Sequence, residues 1–182
     1  VSHGRFYNSI HKGYIDMLFR TLTIIIGTAF CLTSLPVSAQ EVQPGDLEQI
    51  DSCLESTDDL DMCIGHISVP CIQAPNGGST IGTMNCRLRE YKTWDIVLNR
   101  EYKVTRNAFK AADESGDVLN PDLLRTDALL KAQRAWITFR DEECGLAYIR
   151  WGKGSFRQVA GADCLMHLTA ERAIDLIEMQ PF

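Results

Sequence analysis

The chain has little that would let it span a membrane, bind a polyanion or catalyse a reaction. Its 182 residues contain one apolar stretch of note, Leu22 to Leu35, broken by Thr23, Thr28, Thr33 and Ser34 and short for a bilayer span. Positive charge is scarce, 18 Lys+Arg against 24 Asp+Glu, which argues against a nucleic-acid partner. Histidines number four, and the sequence lacks the HExxH and G-x-S-x-G patterns of common hydrolases. No run alternates apolar and polar residues at strand length, so a sheet is not expected.

What is present begins with a leader. Met17 to Arg20 gives a short positive start, Leu22 to Leu35 an apolar middle, and Val37-Ser38-Ala39 a small-x-small site, the three parts of a secretory signal cleaved after Ala39. Pro36 favours an extended segment at that site, and the alternative is an uncleaved anchor helix. Phe30 before Cys31 is too bulky for a lipid-modification site, and residues 1–16 read as an upstream extension. Beyond Ala39 the chain keeps 15 basic and 23 acidic side chains, a net charge of −8, with no further membrane segment. A periplasmic or secreted protein is expected.

Six cysteines remain, Cys53, Cys63, Cys71, Cys86, Cys144 and Cys164, an even number suited to three disulfides in an oxidising compartment. Zinc is the rival use. Intervening gaps of 9, 7, 14, 57 and 19 residues provide no close pair for a metal knuckle, so no metal or cofactor is expected.

The periodicity is helical throughout, predicting an all-α fold, a small disulfide-stapled bundle of three main helices plus one or two short N-terminal helices. Asp46 can N-cap a first piece carrying Leu47, Ile50 and Leu54. A second piece starts near Asp58-Asp59 and is broken by Pro70. Pro75-Asn76-Gly77-Gly78-Ser79 is a turn, after which Ser79 or Thr80 caps a long helix. Its stripe, Ile81, Met84, Leu88, Tyr91, Trp94 or Asp95, Leu98, Tyr102, Thr105 and Phe109, runs to about Asp113, on the order of 50 Å. Another helix starts at Asn120-Pro121-Asp122 and runs to roughly Arg150. Its apolar residues include Leu123, Leu129, Leu130, Ile137 and Phe139. The last helix carries Asp163 to Ile177.

Gln133-x-x-Trp136-x-x-Phe139-Arg140-Asp141-x-x-Cys144, then Cys164 and Leu168-Thr169-x-x-Arg172-x-x-x-Leu176, resembles the LprI-like lysozyme-inhibitor N-terminal domain family. Cys71 to Cys86 followed by Trp94-Asp95-x-x-Leu98-Asn99-x-x-Tyr102 resembles the first half of the same domain. The likeness spans about 71–178, within a domain taken as 71–182, and leaves 40–70 as a short helical N-terminal addition. It implies a helical, exported inhibitor of lysozyme that is not an enzyme. It also implies Cys71–Cys86 and Cys144–Cys164 bridges, leaving Cys53 with Cys63, whereas spacing alone leaves the pairing open.

Gln133, Trp136, Arg140 and Cys144 share one helical face, readable as a recognition surface or, preferably, as a packing seam in which Arg140 bridges Asp141, Asp95 or the carbonyls of another helix. Arg172 can likewise cap a helix or pair with a carboxylate. The loop Trp151-Gly152-Lys153-Gly154-Ser155 carries a cation between two glycines, and with Arg157 it is the candidate contact for a narrow cleft. A lysozyme cleft holds one protonated and one ionised carboxylate, beside which Lys153 or Arg157 fits the substrate's place. As a phosphate cradle the loop lacks the preceding strand. A second route is steering of a cationic lysozyme by acidic residues, with Asp58, Asp59, Asp61, Glu142 and Glu143 as candidates. The protein is expected to be a monomer or a weak associator. The rival functions are an envelope module that binds another ligand and a hydrolase of unidentified mechanism.

Overall fold

Ser79 follows the Pro75–Gly78 turn, and its hydroxyl accepts the Gly82 N–H at 3.0 Å, so it caps the longest helix among the described residues. The computed structural model describes residues 41–116, 120 and 122–180. The expected leader and its cleavage site lie outside these residues. Among the described residues there are five α-helices and no strand. They are α1 (Asp46–Ser56), α2 (Ser68–Gln73), α3 (Thr80–Glu114), α4 (Arg125–Ile149) and α5 (Arg157–Glu178), with a 3-10 turn at Leu60–Cys63 between α1 and α2. The expected all-helical class is the observed one.

α3 is the spine. Its 35 residues extend about 52 Å at 1.5 Å per residue. α5 packs along it, α4 packs mainly on α5, α1 and α2 pack on the spine, and the 3-10 turn packs against α1 and α5. One apolar cluster joins Trp94, Val97 and Leu98 of α3, Met166, Ala170, Ile174 and Leu176 of α5, and Leu129 of α4 to Ile50, Cys63 and Ile67 of the N-terminal segment. The N-terminal segment therefore contributes Ile50, Cys63 and Ile67 to the core.

That coverage rotates the buried side of α3. The expected stripe places Ile81 inside, yet it is 63% exposed, and the fully buried positions are Cys86, Glu90, Thr93, Trp94, Val97 and Thr105. The shift is roughly a quarter turn of helix. It arises because α5 covers one flank of α3 and the N-terminal segment covers another.

A buried carboxylate organises this contact. Glu90 of α3 has no solvent exposure, and its Oε1 accepts the Gly65 N–H at 2.6 Å and the Trp94 Nε1–H at 3.1 Å. Its Oε2 accepts the N–H groups of Ile67 at 3.2 Å and Ser68 at 2.6 Å. Ser68 opens α2, so Glu90 serves as the N-terminal anion of a six-residue helix that has no cap of its own. Pro70 lies in the first turn of α2 instead of breaking a helix, since an N–H at that position has no intrahelical acceptor.

Two arginines of α3 fix α1. Arg89 donates from Nε to Oδ2 of Asp46 at 2.8 Å, and its second nitrogen pairs with Oδ1. Arg100 holds Asp51 through two bonds of 3.0 and 2.9 Å and Glu101 at 2.6 Å. The hydrogen bonds to Asp46 raise the Arg89 guanidinium above its ordinary value, and those to Asp51 do the same for Arg100, each against an opposing cost of burial. Asp46 is thus the first residue of α1 and not its N-cap. Its carboxylate is buried against Arg89 and turned back to the Gln43 N–H, while Gly45, with φ 90°, occupies the cap position.

The two remaining helices also start away from their expected positions. α4 begins at Arg125, five residues after Asn120, because Asp113 near the end of α3 caps it from outside. Asp113 Oδ1 accepts the Arg125 N–H at 3.1 Å, and Oδ2 accepts the Thr126 N–H at 3.1 Å and its hydroxyl at 2.9 Å. α5 begins at Arg157, six residues before Asp163. The three disulfides are Cys53–Cys63, Cys71–Cys86 and Cys144–Cys164, the pairing that the family resemblance implies, with Cα separations of 5.8, 5.7 and 5.3 Å.

Replacing Glu90 with Ala leaves three backbone N–H groups and the Trp94 indole N–H without their acceptor. A loss of about 3 kcal/mol or more is expected from urea denaturation of the oxidised protein, with Glu90→Gln intermediate. A loss below about 1 kcal/mol for Glu90→Ala contradicts the role assigned to this carboxylate.

Asp113 gives a pH-dependent prediction. Burial opposes its ionisation, but the N–H groups of Thr126 and Arg125, then the Thr126 hydroxyl and the Arg125 guanidinium, outweigh that and hold the carboxyl below the usual range. A depressed carboxylate contributes stability that is complete above its unfolded value, about pH 4, and that fades as pH falls through the folded value. Amide exchange at Arg125 and Thr126 is expected to accelerate at acid pH relative to the α3 core, and Asp113→Asn should remove that pH dependence.

Candidate functional site

The turn that joins α4 to α5 is short and aromatic. α4 ends at Ile149, and Gly152 adopts φ 56°, a left-handed conformation that reverses the chain with no Cβ to strain it. Successive turns follow, closed by Gly152 N–H to Ile149 O at 3.0 Å, Gly154 N–H to Trp151 O at 3.0 Å and Arg157 N–H to Gly154 O at 3.3 Å. The Trp151 and Phe156 rings meet edge to face with centroids 4.7 Å apart, and the Arg150 guanidinium lies 5.6 Å from the Trp151 centroid. Arg157 turns inward. It donates to the Tyr148 hydroxyl at 2.9 Å and to the Gly152 carbonyl at 3.3 Å, with its guanidinium 5.6 Å from the Tyr148 centroid.

The result is a braced tip. Trp151 and Phe156 remain 42% and 49% exposed, and Lys153 is exposed with no ion pair or hydrogen bond among the described residues. Below the tip the Cys144–Cys164 bridge ties the two helices, with Cys144 4% exposed. Two grooves flank the bridge. One is apolar, about 430 Å³, with Met84 and Leu88 of α3 on one wall and Tyr148, Gly161 and Leu165 on the other. The other sets the charged or polar side chains Arg87, Asp163 and His167 among apolar ones such as Phe156 and Leu168, with Arg87 Nε 3.0 Å from Asp163 Oδ1 and His167 Nε2 3.8 Å from the same atom.

Most of the sequence motif residues sit deeper, whereas Asn99 and Asp141 are exposed. Trp94 is fully buried on Glu90, Tyr102 packs against the core, and Asn99 donates to the Asp95 carbonyl at 2.7 Å and its carboxylate at 3.1 Å. Gln133, 7% exposed, accepts from Arg172 Nε at 3.0 Å, and Arg172 also reaches Asp175 at 3.5 Å. Trp136 packs on the core with the Arg140 guanidinium 5.1 Å from its ring and 5.9 Å from Tyr91, while Arg140 Nη2 pairs with Asp141 at 2.8 Å and not with Asp95. Gln133, Trp136, Arg140 and Cys144 thus share a face that packs inward.

The acidic candidates divide. Asp58, Asp59 and Asp61 lie on the N-terminal segment, where Asp61 lines a groove with Glu171, Asp175 and Glu178 of α5. Glu142 and Glu143 lie instead on the outer face of α4. Sequence reasoning misses Phe156, Tyr148 and Arg150 at the tip. Their only sequence signal is the density of aromatic and Arg residues on both sides of the two glycines. No group of three or more His, Cys, Asp or Glu suited to a metal ion occurs among the described residues, and none of their helices is long and apolar enough to cross a membrane.

The described residues thus form an all-helical domain stapled by three disulfides, a type of crosslinking suited to oxidising compartments, with a braced aromatic and cationic tip. Residues 71–176 match the family described as lysozyme inhibitor LprI, and the chain belongs to that family. It is 37% identical over 95 residues to an uncharacterized protein of Rhizobium meliloti (strain 1021), covering 52% of this chain and 68% of the relative. It is 26% identical over 129 residues to the uncharacterized protein YecT of Escherichia coli (strain K12), covering 71% and 68% of the two chains. No solved structure matches the chain. The family match holds α3, α4, most of α5 and the tip, while α1 and the 3-10 turn precede it.

Opening the Cys144–Cys164 bridge tests how far the tip depends on it. The double variant Cys144→Ser/Cys164→Ser removes a crosslink separated by 20 residues, for which loop-closure entropy gives about 3 kcal/mol. Protease cleavage between residues 150 and 157 should accelerate by at least tenfold, and unchanged protection would show that the hydrogen bonds of the turn suffice.

Proposed function

We propose that this chain is an exported, non-enzymatic inhibitor of lysozyme that binds the enzyme through the tip of the α4–α5 hairpin. The observation that carries the reading is the match of residues 71–176 to the lysozyme-inhibitor family, a segment that contains the whole tip. Three features support a binding role. All six described cysteines are paired. The buried carboxylates are engaged in structural contacts, Asp46 with Arg89 and Glu90 with backbone N–H groups. The tip offers two exposed aromatic rings and a free cation on a backbone ordered before any partner arrives, which lowers the entropy lost on binding.

In this reading Lys153 enters the cleft beside the ionised carboxylate of lysozyme, while Trp151 and Phe156 cover its apolar rim. The acidic groove of Asp61, Glu171, Asp175 and Glu178 steers a cationic enzyme from a distance, an effect that weakens with salt. The three disulfides support a location in the periplasm or outside the cell. A second reading, supported by the apolar groove of Met84, Leu88, Tyr148 and Leu165, is an envelope module for a small apolar ligand.

The test is residual activity of several lysozymes on labelled peptidoglycan, titrated with the oxidised protein at two salt concentrations. Stoichiometric inhibition is expected, reduced about tenfold or more by Lys153→Glu or Trp151→Ala. Inhibition unchanged in both variants removes the tip as the contact. Absence of inhibition of every lysozyme by a folded, disulfide-bonded protein overturns the inhibitor reading and favours the groove ligand.

A further inference from the structure

α4 uses only one side to fold. Its buried residues are Leu129, Gln133 and Cys144. The opposite side carries Ala128, Ala132, Ala135, Phe139, Glu142, Leu146 and Ile149, separated by four, three, four, three, four and three residues, and every one is exposed. Phe139, Leu146 and Ile149 are exposed by 55, 54 and 65%. A spacing of four and three sustained over three heptads is the seam of a helix that pairs with another helix, and a helix face meeting only water has no reason to keep it. The stripe runs about 32 Å along the helix axis.

We propose that this face is the interface of an antiparallel homodimer, with α4 lying on α4 of a second copy about a twofold axis near Phe139. Size selects the second copy and its direction. The first half of the stripe is alanine and the second half is large, so antiparallel pairing sets Ala128 and Ala132 against Ile149 and Leu146 of the other copy and fills the seam evenly. Parallel pairing leaves the alanine half loose and sets Glu142 directly against Glu142. Charge agrees. Lys131 and Arg134, both exposed, flank the alanine half, and Glu142 and Glu143, also exposed, lie in the large half, so the antiparallel arrangement brings opposite signs together at both ends. The same acidic residues disfavour an anionic lipid surface as the occupant.

Such a dimer goes beyond lysozyme binding. Antiparallel helices carry the two Trp151–Phe156 tips to opposite ends, leaving each free for a partner. The sequence leads to the expectation of a monomer or a weak associator, with Phe139 among the apolar positions of this helix, and the structure places that side chain outside.

The full, disulfide-bonded chain, followed by sedimentation velocity from about 1 to about 100 µM, is expected to pass from monomer to dimer. Phe139→Glu should raise the dissociation constant at least tenfold with an unchanged helical spectrum, and Leu146→Glu should do the same. Orientation is read separately. Ala128→Cys and Ile149→Cys chains mixed under mild oxidation should crosslink to each other, whereas Ala128→Cys alone should not crosslink to itself. A monomer at every concentration overturns the proposal, including the case in which residues 1–40 or another protein occupy the face. A dimer indifferent to both Glu substitutions, or self-crosslinking of Ala128→Cys, overturns it equally.

Discussion

The contact on which most of the fold depends is the carboxylate of Glu90. It lies at the level where α3 meets α2 and the turn before it, and it accepts four hydrogen bonds in a region without solvent. A charge in such a place is strongly unfavourable unless donors surround it, so the chain from Gly65 to Ser68 must adopt the one path that aims three N–H groups inward. That path sets Cys63 and Ile67 into the core and starts α2. The Cys53–Cys63 and Cys71–Cys86 bridges then hold the segment on both sides of it. The apolar cluster provides most of the driving force, and Glu90 determines the geometry in which it closes.

The same device recurs at the other end of the spine. Asp113 supplies from α3 the cap that α4 lacks, as Glu90 supplies an anion to α2. Thr105 donates to the Leu176 carbonyl at 3.0 Å and Gln180 donates to Glu101 at 2.8 Å, so the C-terminal end of α5 is also fixed by α3. One long helix thus positions every other helix through polar side chains. The α4–α5 hairpin is stapled to itself by Cys144–Cys164 and projects its tip from this frame. Such a division suits recognition, because a rigid frame loses little freedom when the tip is engaged.

Family membership and local geometry bear on different parts of the protein. The motif residues Trp94, Tyr102, Gln133, Trp136, Arg140 and Arg172 are mainly packing and bridging positions, so they identify the fold. The tip residues Trp151, Lys153 and Phe156 have no such structural duty beyond the turn, and the outer stripe of α4 has none at all. Function is therefore sought where packing leaves side chains unexplained.

The sequence by itself determined the helical class, a cap at Ser79 or Thr80, the extent of α3 and the position of the glycine turn, because these follow from local spacing and from residues with restricted backbone conformations. Its family likeness carried the disulfide pairing. It did not disclose Glu90, since a glutamate inside a helix looks the same whether water or backbone N–H groups surround it. The quarter-turn rotation of α3, the start of α4 at Arg125 and the inward turn of Arg157 escaped for a related reason. Each depends on a neighbour far away in the chain: the N-terminal segment on α3, Asp113 on Arg125, Tyr148 and the Gly152 carbonyl on Arg157. Periodicity tells how many faces of a helix are apolar but not which one meets the core. On α4 several compete, and only tertiary packing decided that Phe139, Leu146 and Ile149 remain outside.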